Sequence, residues 1–228
     1  MIIRIKDFIK KELSGWNKTE IIGMVLILLI ISFNAVVLKD SIIAIISAIC
    51  GLMYTIIAGK GKMSCYIFGL TGSGFYAYLA FKNGLYGNFG LYLLYYIPMQ
   101  ILGFLNWSKH LKKTTNEIYK TRVNNRRFLT FCCVLLCSLT IIILWKLNDI
   151  NPVIDGITTA LSIAGMYLTV KRCIEQWVIW GIVNILTASM WITLIISGQK
   201  VFSTVIMWIV YFILSVYFYI QWKKEINN

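Results

Sequence analysis

Acidic side chains are scarce, with nine Asp and Glu against 22 Lys and Arg in 228 residues, and a single histidine, His110, lies in a basic loop. With one imidazole, a Ser-His-Asp or Cys-His arrangement would have to be built around that loop, so a hydrolytic enzyme is a poor reading. Six cysteines, Cys50, Cys65, Cys132, Cys133, Cys137 and Cys173, include no Cys-x-x-Cys. Neither a metal site nor a disulfide framework is therefore expected, and thiols inside apolar runs read as small hydrophobes. The phosphate-binding pattern G-x-x-x-x-G-K-[ST] is also missing, since GKGKMS from Gly59 to Ser64 departs from it. No bound cofactor is expected.

Apolar residues make up 59% of the chain, and its mean hydropathy is +0.75. A helix crossing a bilayer needs about 20 consecutive apolar residues. Eight runs approach that length: Ile21 to Leu38, Ser41 to Ala58, Met63 to Phe81, Tyr86 to Trp107, Phe128 to Trp145, Pro152 to Val170, Glu175 to Ile196 and Val201 to Trp222. The fold class is all-α integral membrane with eight transmembrane helices. Residues 1–20 form a basic amphipathic N-terminus suited to an anionic lipid surface. The following run is too long for a signal h-region and is retained.

The formal charge of +13 would suit nucleic acid, but the cations sit almost wholly in the breaks between runs, where they read as topology signals. With the N-terminus cytoplasmic, 18 Lys and Arg fall in inner segments and four in outer ones. Both termini are then cytoplasmic, and the basic loop 108–127 divides the chain. Partners are the lipid bilayer and a small molecule, with no nucleic acid.

The halves resemble each other. Matching CYIFGLTGSGF (Cys65 to Phe75) to WVIWGIVNILT (Trp177 to Thr187) sets Phe68 against Trp180, Gly69 against Gly181 and Gly72 against Asn184. The loops Asn83-Gly84 and Ser197-Gly198 also correspond, as do Tyr96 with Tyr211 and Trp107 with Trp222. The expected organisation is an extra helix (21–38), a first three-helix repeat (41–107), the loop, a linker helix (128–146), a second repeat (152–222) and a tail (223–228). This is a 3+1+3 parallel-repeat bundle, an architecture of carriers that hold substrate near the midplane.

Polar and aromatic side chains inside the runs are the candidate substrate-binding residues. Trp177, Trp180 and Asn184, at i, i+3 and i+7, are expected on one stripe, where two indoles would clamp a cationic aromatic ring and the carboxamide would bond an amide or ribose hydroxyl. The bland alternative for Trp177 is an interfacial aromatic belt. On the fourth run, Tyr96, Pro98 and Gln100 combine a kink with a polar handle, and Trp208 and Tyr211 occupy corresponding places in the second half. Packing alone would also explain that kink, with Gln100 bonded to a neighbouring helix. Asp155 and Glu175 lie near run ends, so no buried acidic pair serves ion coupling, and no Lys or Arg lies deep in a run to meet a phosphate. A neutral or singly cationic guest moving down its gradient, trapped inside by a kinase, fits best.

The stretches EQWVIWGIVN (175–184) and YYIPMQILGFLNW (95–107) resemble the PnuC vitamin transporters, which carry W-x-x-W-x-x-x-N/D on the sixth core helix and a Pro-x-Gln-x-x-Gly-x-x-x-Trp stretch. The resemblance runs over roughly residues 41 to 222. It implies a 3+1+3 fold related to the SWEET sugar transporters, a homotrimer in the bacterial inner membrane, and facilitated diffusion of nicotinamide riboside. One departure concerns the third run, where the family pattern F-G-x-x-N/Q meets Phe68-Gly69-Leu70-Thr71-Gly72 here. Thr71 or Ser73 would have to compensate. Carriers of thiamine, riboflavin or deoxyribonucleosides, a non-transporting sensor and a membrane-embedded lipid-modifying enzyme remain as alternatives.

Overall fold

The computed structural model describes residues 11–12, 14–37, 41–82, 86–148, 151–196 and 202–227. The residues before Lys11 and the loops Asn83-Gly84 and Ser197-Gly198 lie outside them. The helices are α1 (Lys18–Val37), α2 (Ile42–Gly59), α3 (Cys65–Lys82), α4 (Tyr86–Leu91), a π-helical turn (Tyr92–Tyr96), α5 (Ile97–Ser108), α6 (Arg126–Lys146), α7 (Pro152–Val170), α8 (Glu175–Ile196) and α9 (Phe202–Asn227). Because α4, the π turn and α5 are continuous, the described residues form eight rods, one for each apolar run. Six segments are long and apolar enough to cross a bilayer.

Local chemistry explains where the rods start and bend. Ser41 caps α2 by accepting from Ala44 N at 3.2 Å, and Asn125 caps α6 by accepting from Phe128 N at 3.0 Å. Pro98 has no N–H, and its ring crowds the carbonyl one turn back. The preceding backbone widens into the π turn, in which Ile97 N–H reaches Tyr92 O. The expected kink at Pro98 is thus a π turn just before it.

Two compact units comprise Met1–Tyr119 and Lys120–Asn228. In the first, α2 packs on α1 and α3, and α3 packs on α4, the π turn and α5. In the second, α6 packs on α7, α7 on α8 and α8 on α9. The helix expected as a linker is α6, and its contacts are with α7 of the second unit.

The turn closing the first two helices of each repeat is the same motif twice. Lys62 N–H bonds Ile57 O at 3.1 Å and Gly61 N–H bonds Ala58 O at 2.9 Å, while Cys173 N–H bonds Leu168 O and Arg172 N–H bonds Thr169 O, both at 3.0 Å. The residue in the left-handed conformation is Gly61 in one turn (φ 70°) and Arg172 in the other (φ 63°). This main-chain register pairs Tyr66 with Trp177, Gly69 with Trp180 and Ser73 with Asn184. It lies one residue from the sequence matching, which set Gly69 against Gly181 and Gly72 against Asn184. Hydrogen bonding at the turn, rather than a shared glycine, fixes which positions are equivalent.

The basic segment 108–127 is divided between the units, and each part bonds the turn of its own unit. Its first part bonds the α2–α3 turn through Ile118 N–H to Gly61 O at 3.0 Å. Lys62, fully buried, donates Nζ to Lys11 O at 2.8 Å and Thr115 O at 2.7 Å, and lies 3.6 Å from Glu117 Oε1. Its second part bonds the α7–α8 turn through Thr121 N–H to Arg172 O and Ile174 N–H to Thr121 O, both at 2.9 Å. Glu175 accepts from Val123 N and Arg126 Nε, each at 3.1 Å.

Candidate functional site

In the second unit, Asn184 is 6% exposed and donates Nδ2 to Ser215 Oγ on α9 at 3.1 Å. Ser215 in turn donates its O–H to Tyr211 O, one helical turn earlier, at 2.8 Å. Trp177, 3% exposed, stacks tilted on Phe218 with centroids 5.2 Å apart and edge-on to Trp222 at 5.6 Å. Trp180 is half-buried and turns to α7 instead, donating Nε1 to Thr169 Oγ1 at 3.3 Å. Its ring covers Gly165, where an added Cβ would lie 3.0 Å from the indole.

The expected single stripe is therefore divided between two neighbours. Seven residues of α-helix return to within about 20° of the starting direction, whereas three residues fall about 60° short of a full turn. Trp177 and Asn184 accordingly share the α9 face, and Trp180 faces α7. Trp177 is packed against α9, and its Nε1 has no hydrogen-bond partner among the described residues.

The first unit holds the corresponding pair with the roles exchanged. Gln100 on α5, 4% exposed, donates Nε2 to Ser73 Oγ on α3 at 2.8 Å, and its Oε1 accepts nothing among the described residues. By the register above, and by the matches of Tyr96 with Tyr211 and Trp107 with Trp222, Ser73 occupies the position of Asn184 and Gln100 that of Ser215. The amide sits on the last helix of one repeat and on the middle helix of the other. Tyr66 stands edge-on to Trp107 at 5.1 Å, as Trp177 does to Trp222.

Gly72 is a contact between α2 and α3. A Cβ there would come within 3.0 Å of Cys50 Cβ, and Ser47 Oγ donates to Gly72 O at 3.1 Å. Of the two hydroxyls expected to compensate for this glycine, Ser73 reaches Gln100. Thr71 bonds its own helix at Ile67 O, 2.8 Å away.

Tyr96 and Tyr211 are half-buried. Tyr96 meets Tyr92 at 4.8 Å and Tyr95 at 5.5 Å, and Tyr211 meets Trp208 at 5.9 Å. The indole N–H of Trp208 is buried and has no partner among the described residues. Ser215 and Thr169, which hold Asn184 and Trp180, carry no individual sequence signal, because hydroxyls in apolar helices commonly bond their own backbone. In the α7–α8 turn, burial pushes the Cys173 thiol above its usual value. Without thiolate character it is a poor nucleophile.

A family model described as the nicotinamide mononucleotide transporter matches residues 41–224. The chain belongs to this family. It is 34% identical over 227 residues, spanning 96% of this chain and 86% of the relative, to the nicotinamide riboside transporter PnuC of Neisseria mucosa. The Haemophilus influenzae protein of the same name is 26% identical over 225 residues, covering 96% of each chain. A crystal structure of the vitamin B3 transporter PnuC superposes with a TM-score of 0.80 at 34% identity, covering 96% of both chains. As a PnuC family member, the chain is a multi-pass membrane transporter and not an enzyme.

Proposed function

We propose that this chain carries nicotinamide riboside by facilitated diffusion across the bacterial inner membrane, with Asn184, Gln100 and Trp180 as principal contacts. The supporting observation is the buried Asn184 carboxamide, one helical turn from the half-buried Trp180 on a helix of a chain 34% identical to a named nicotinamide riboside transporter. An indole face suits a pyridinium ring, and the carboxamide suits an amide or ribose hydroxyl. Tyr96, Trp208 and Tyr211 extend the wall, and Trp177 braces it.

The family description names the mononucleotide, while both relatives are named for the riboside. The riboside is the better fit. A nucleotide phosphate would need a cation, and every Lys and Arg in α1 to α9 lies within five residues of a helix end.

Eight crossings in a 3+1+3 arrangement, both termini cytoplasmic, a homotrimer, and trapping of the guest by a cytosolic kinase complete the reading. The inward bias of the cations supports the orientation. Titration of the purified protein with nicotinamide riboside, its 5′-phosphate, thiamine, riboflavin and a deoxyribonucleoside tests it, together with uptake into liposomes. Binding and uptake of the riboside alone is the expected result. Preference for the phosphate or another vitamin refutes the substrate assignment, and binding without uptake refutes the carrier.

A further inference from the structure

We infer that Ser215 is a positioning residue that determines specificity, locking the Asn184 carboxamide so that it presents its carbonyl oxygen, and not its NH2, to the guest. The inference deepens the proposed function and rests on it. It concerns which guest groups the site accepts.

A carboxamide has a donor end and an acceptor end of nearly the same shape, and rotation by half a turn exchanges them. What decides the orientation is the neighbour. A serine hydroxyl has one hydrogen, and that of Ser215 is directed to Tyr211 O at 2.8 Å. Toward Asn184 it can therefore only accept, and it does so from Nδ2 at 3.1 Å. Turning the amide over would place Oδ1 against a hydroxyl oxygen whose proton points elsewhere, or would require Ser215 to abandon the Tyr211 carbonyl. Both are costly for a side chain that is only 6% exposed. Asn184 Oδ1 is left as the end available to a guest.

The first repeat shows a parallel contact. Ser73 Oγ takes Gln100 Nε2 at 2.8 Å, leaving Gln100 Oε1 buried without a partner among the described residues. Amide and hydroxyl have exchanged helices between the repeats, and the same nitrogen-to-hydroxyl contact is made, although only Ser215 has its hydroxyl proton committed to a backbone carbonyl. Each repeat thus offers an acceptor. Guests must supply N–H or O–H groups, as the carboxamide and ribose of nicotinamide riboside do. A guest offering only lone pairs at that place leaves an acceptor facing an acceptor.

The test is a coupling experiment with the full-length protein in liposomes, measuring binding and uptake. The guests are nicotinamide riboside and three analogues lacking one donor each: the 3-carboxylate, the 2′-deoxy and the 3′-deoxy riboside. For the wild type, at least one analogue should bind about tenfold more weakly than the parent. In Ser215→Ala the Asn184 amide is free to turn. Parent affinity should fall several-fold, the penalty for that analogue should shrink to about threefold or less, and Ser215→Thr, which keeps the hydroxyl, should restore both. Thermal midpoints report folding separately. A loss in Ser215→Ala that is equal for parent and analogues, or a wild-type penalty retained in full, overturns the inference while leaving the substrate assignment intact. Absence of riboside binding by the wild type overturns the substrate assignment and the inference with it.

Discussion

Trp180 Nε1 donates to Thr169 Oγ1 across 3.3 Å, fixing the indole flat against the α7 backbone where Gly165 leaves room for it. The first repeat fills the equivalent slot from the opposite side. There Gly69, the counterpart of Trp180, is covered by Tyr54 of α2, whose ring would lie 2.7 Å from an added Cβ. Tyr54 stands in the position of Gly165. One aromatic ring and one glycine are kept at each helix contact, but the helix that contributes the ring differs.

Gly165→Ala should therefore act on Trp180 rather than on the fold as a whole. A methyl group 3.0 Å from the indole forces the ring off its hydrogen bond with Thr169. Riboside affinity is expected to fall by about 1 kcal/mol or more, with a smaller change in melting temperature. Thr169→Val, which removes the hydroxyl that accepts from Trp180 and donates to Gly165 O at 2.9 Å, should reproduce part of the affinity loss. Calorimetry on both variants checks this.

Gly72→Asn, which restores the amide of the family pattern, should destabilise rather than tighten binding. The new side chain would begin 3.0 Å from Cys50 Cβ, so α2 and α3 must separate. A cost of about 1 to 3 kcal/mol is expected for such overpacking, read as a lowered thermal midpoint with no gain in riboside affinity.

Trp107→Ala and Trp222→Ala should be among the most damaging single changes, because both side chains are fully buried against an edge-on aromatic partner. Each is expected to cost about 3 to 5 kcal/mol. Loss of monodisperse protein on size-exclusion chromatography, or a sharp fall in melting temperature, is the measurement.

Lys62→Met should weaken the attachment of the segment around Lys11 to the basic loop. The ammonium group is completely buried and serves Lys11 O, Thr115 O and Glu117. Removing the buried ammonium strips Lys11 O and Thr115 O of their donor and leaves the partly exposed Glu117 carboxylate alone, at a cost of about 1 to 3 kcal/mol. Adding Glu117→Gln should recover part of the loss, since the stranded carboxylate is neutralised. Hydrogen exchange of the backbone amides between residues 110 and 119 would show which bonds open.

The sequence by itself determined the number and extent of the rods, because runs of apolar side chains can bury their backbone polar groups in lipid only as helices. It also singled out Asn184, Gln100 and Trp180, since polar and large aromatic groups among apolar ones are few and conspicuous. The internal duplication was legible too, though one residue out of register across α3 and α8, because a shared glycine is weaker evidence of equivalence than the hydrogen bonds of a turn. Only tertiary structure decided which neighbour each candidate meets. Trp177, Trp180 and Asn184 lie within about 60° of one another on an ideal helix, yet α9 takes two of them and α7 the third. Ser73 stood out in the sequence only as a substitute for the missing amide, and Ser215 was out of reach, since what makes it different from any other helical serine is the carboxamide that another helix places beside it.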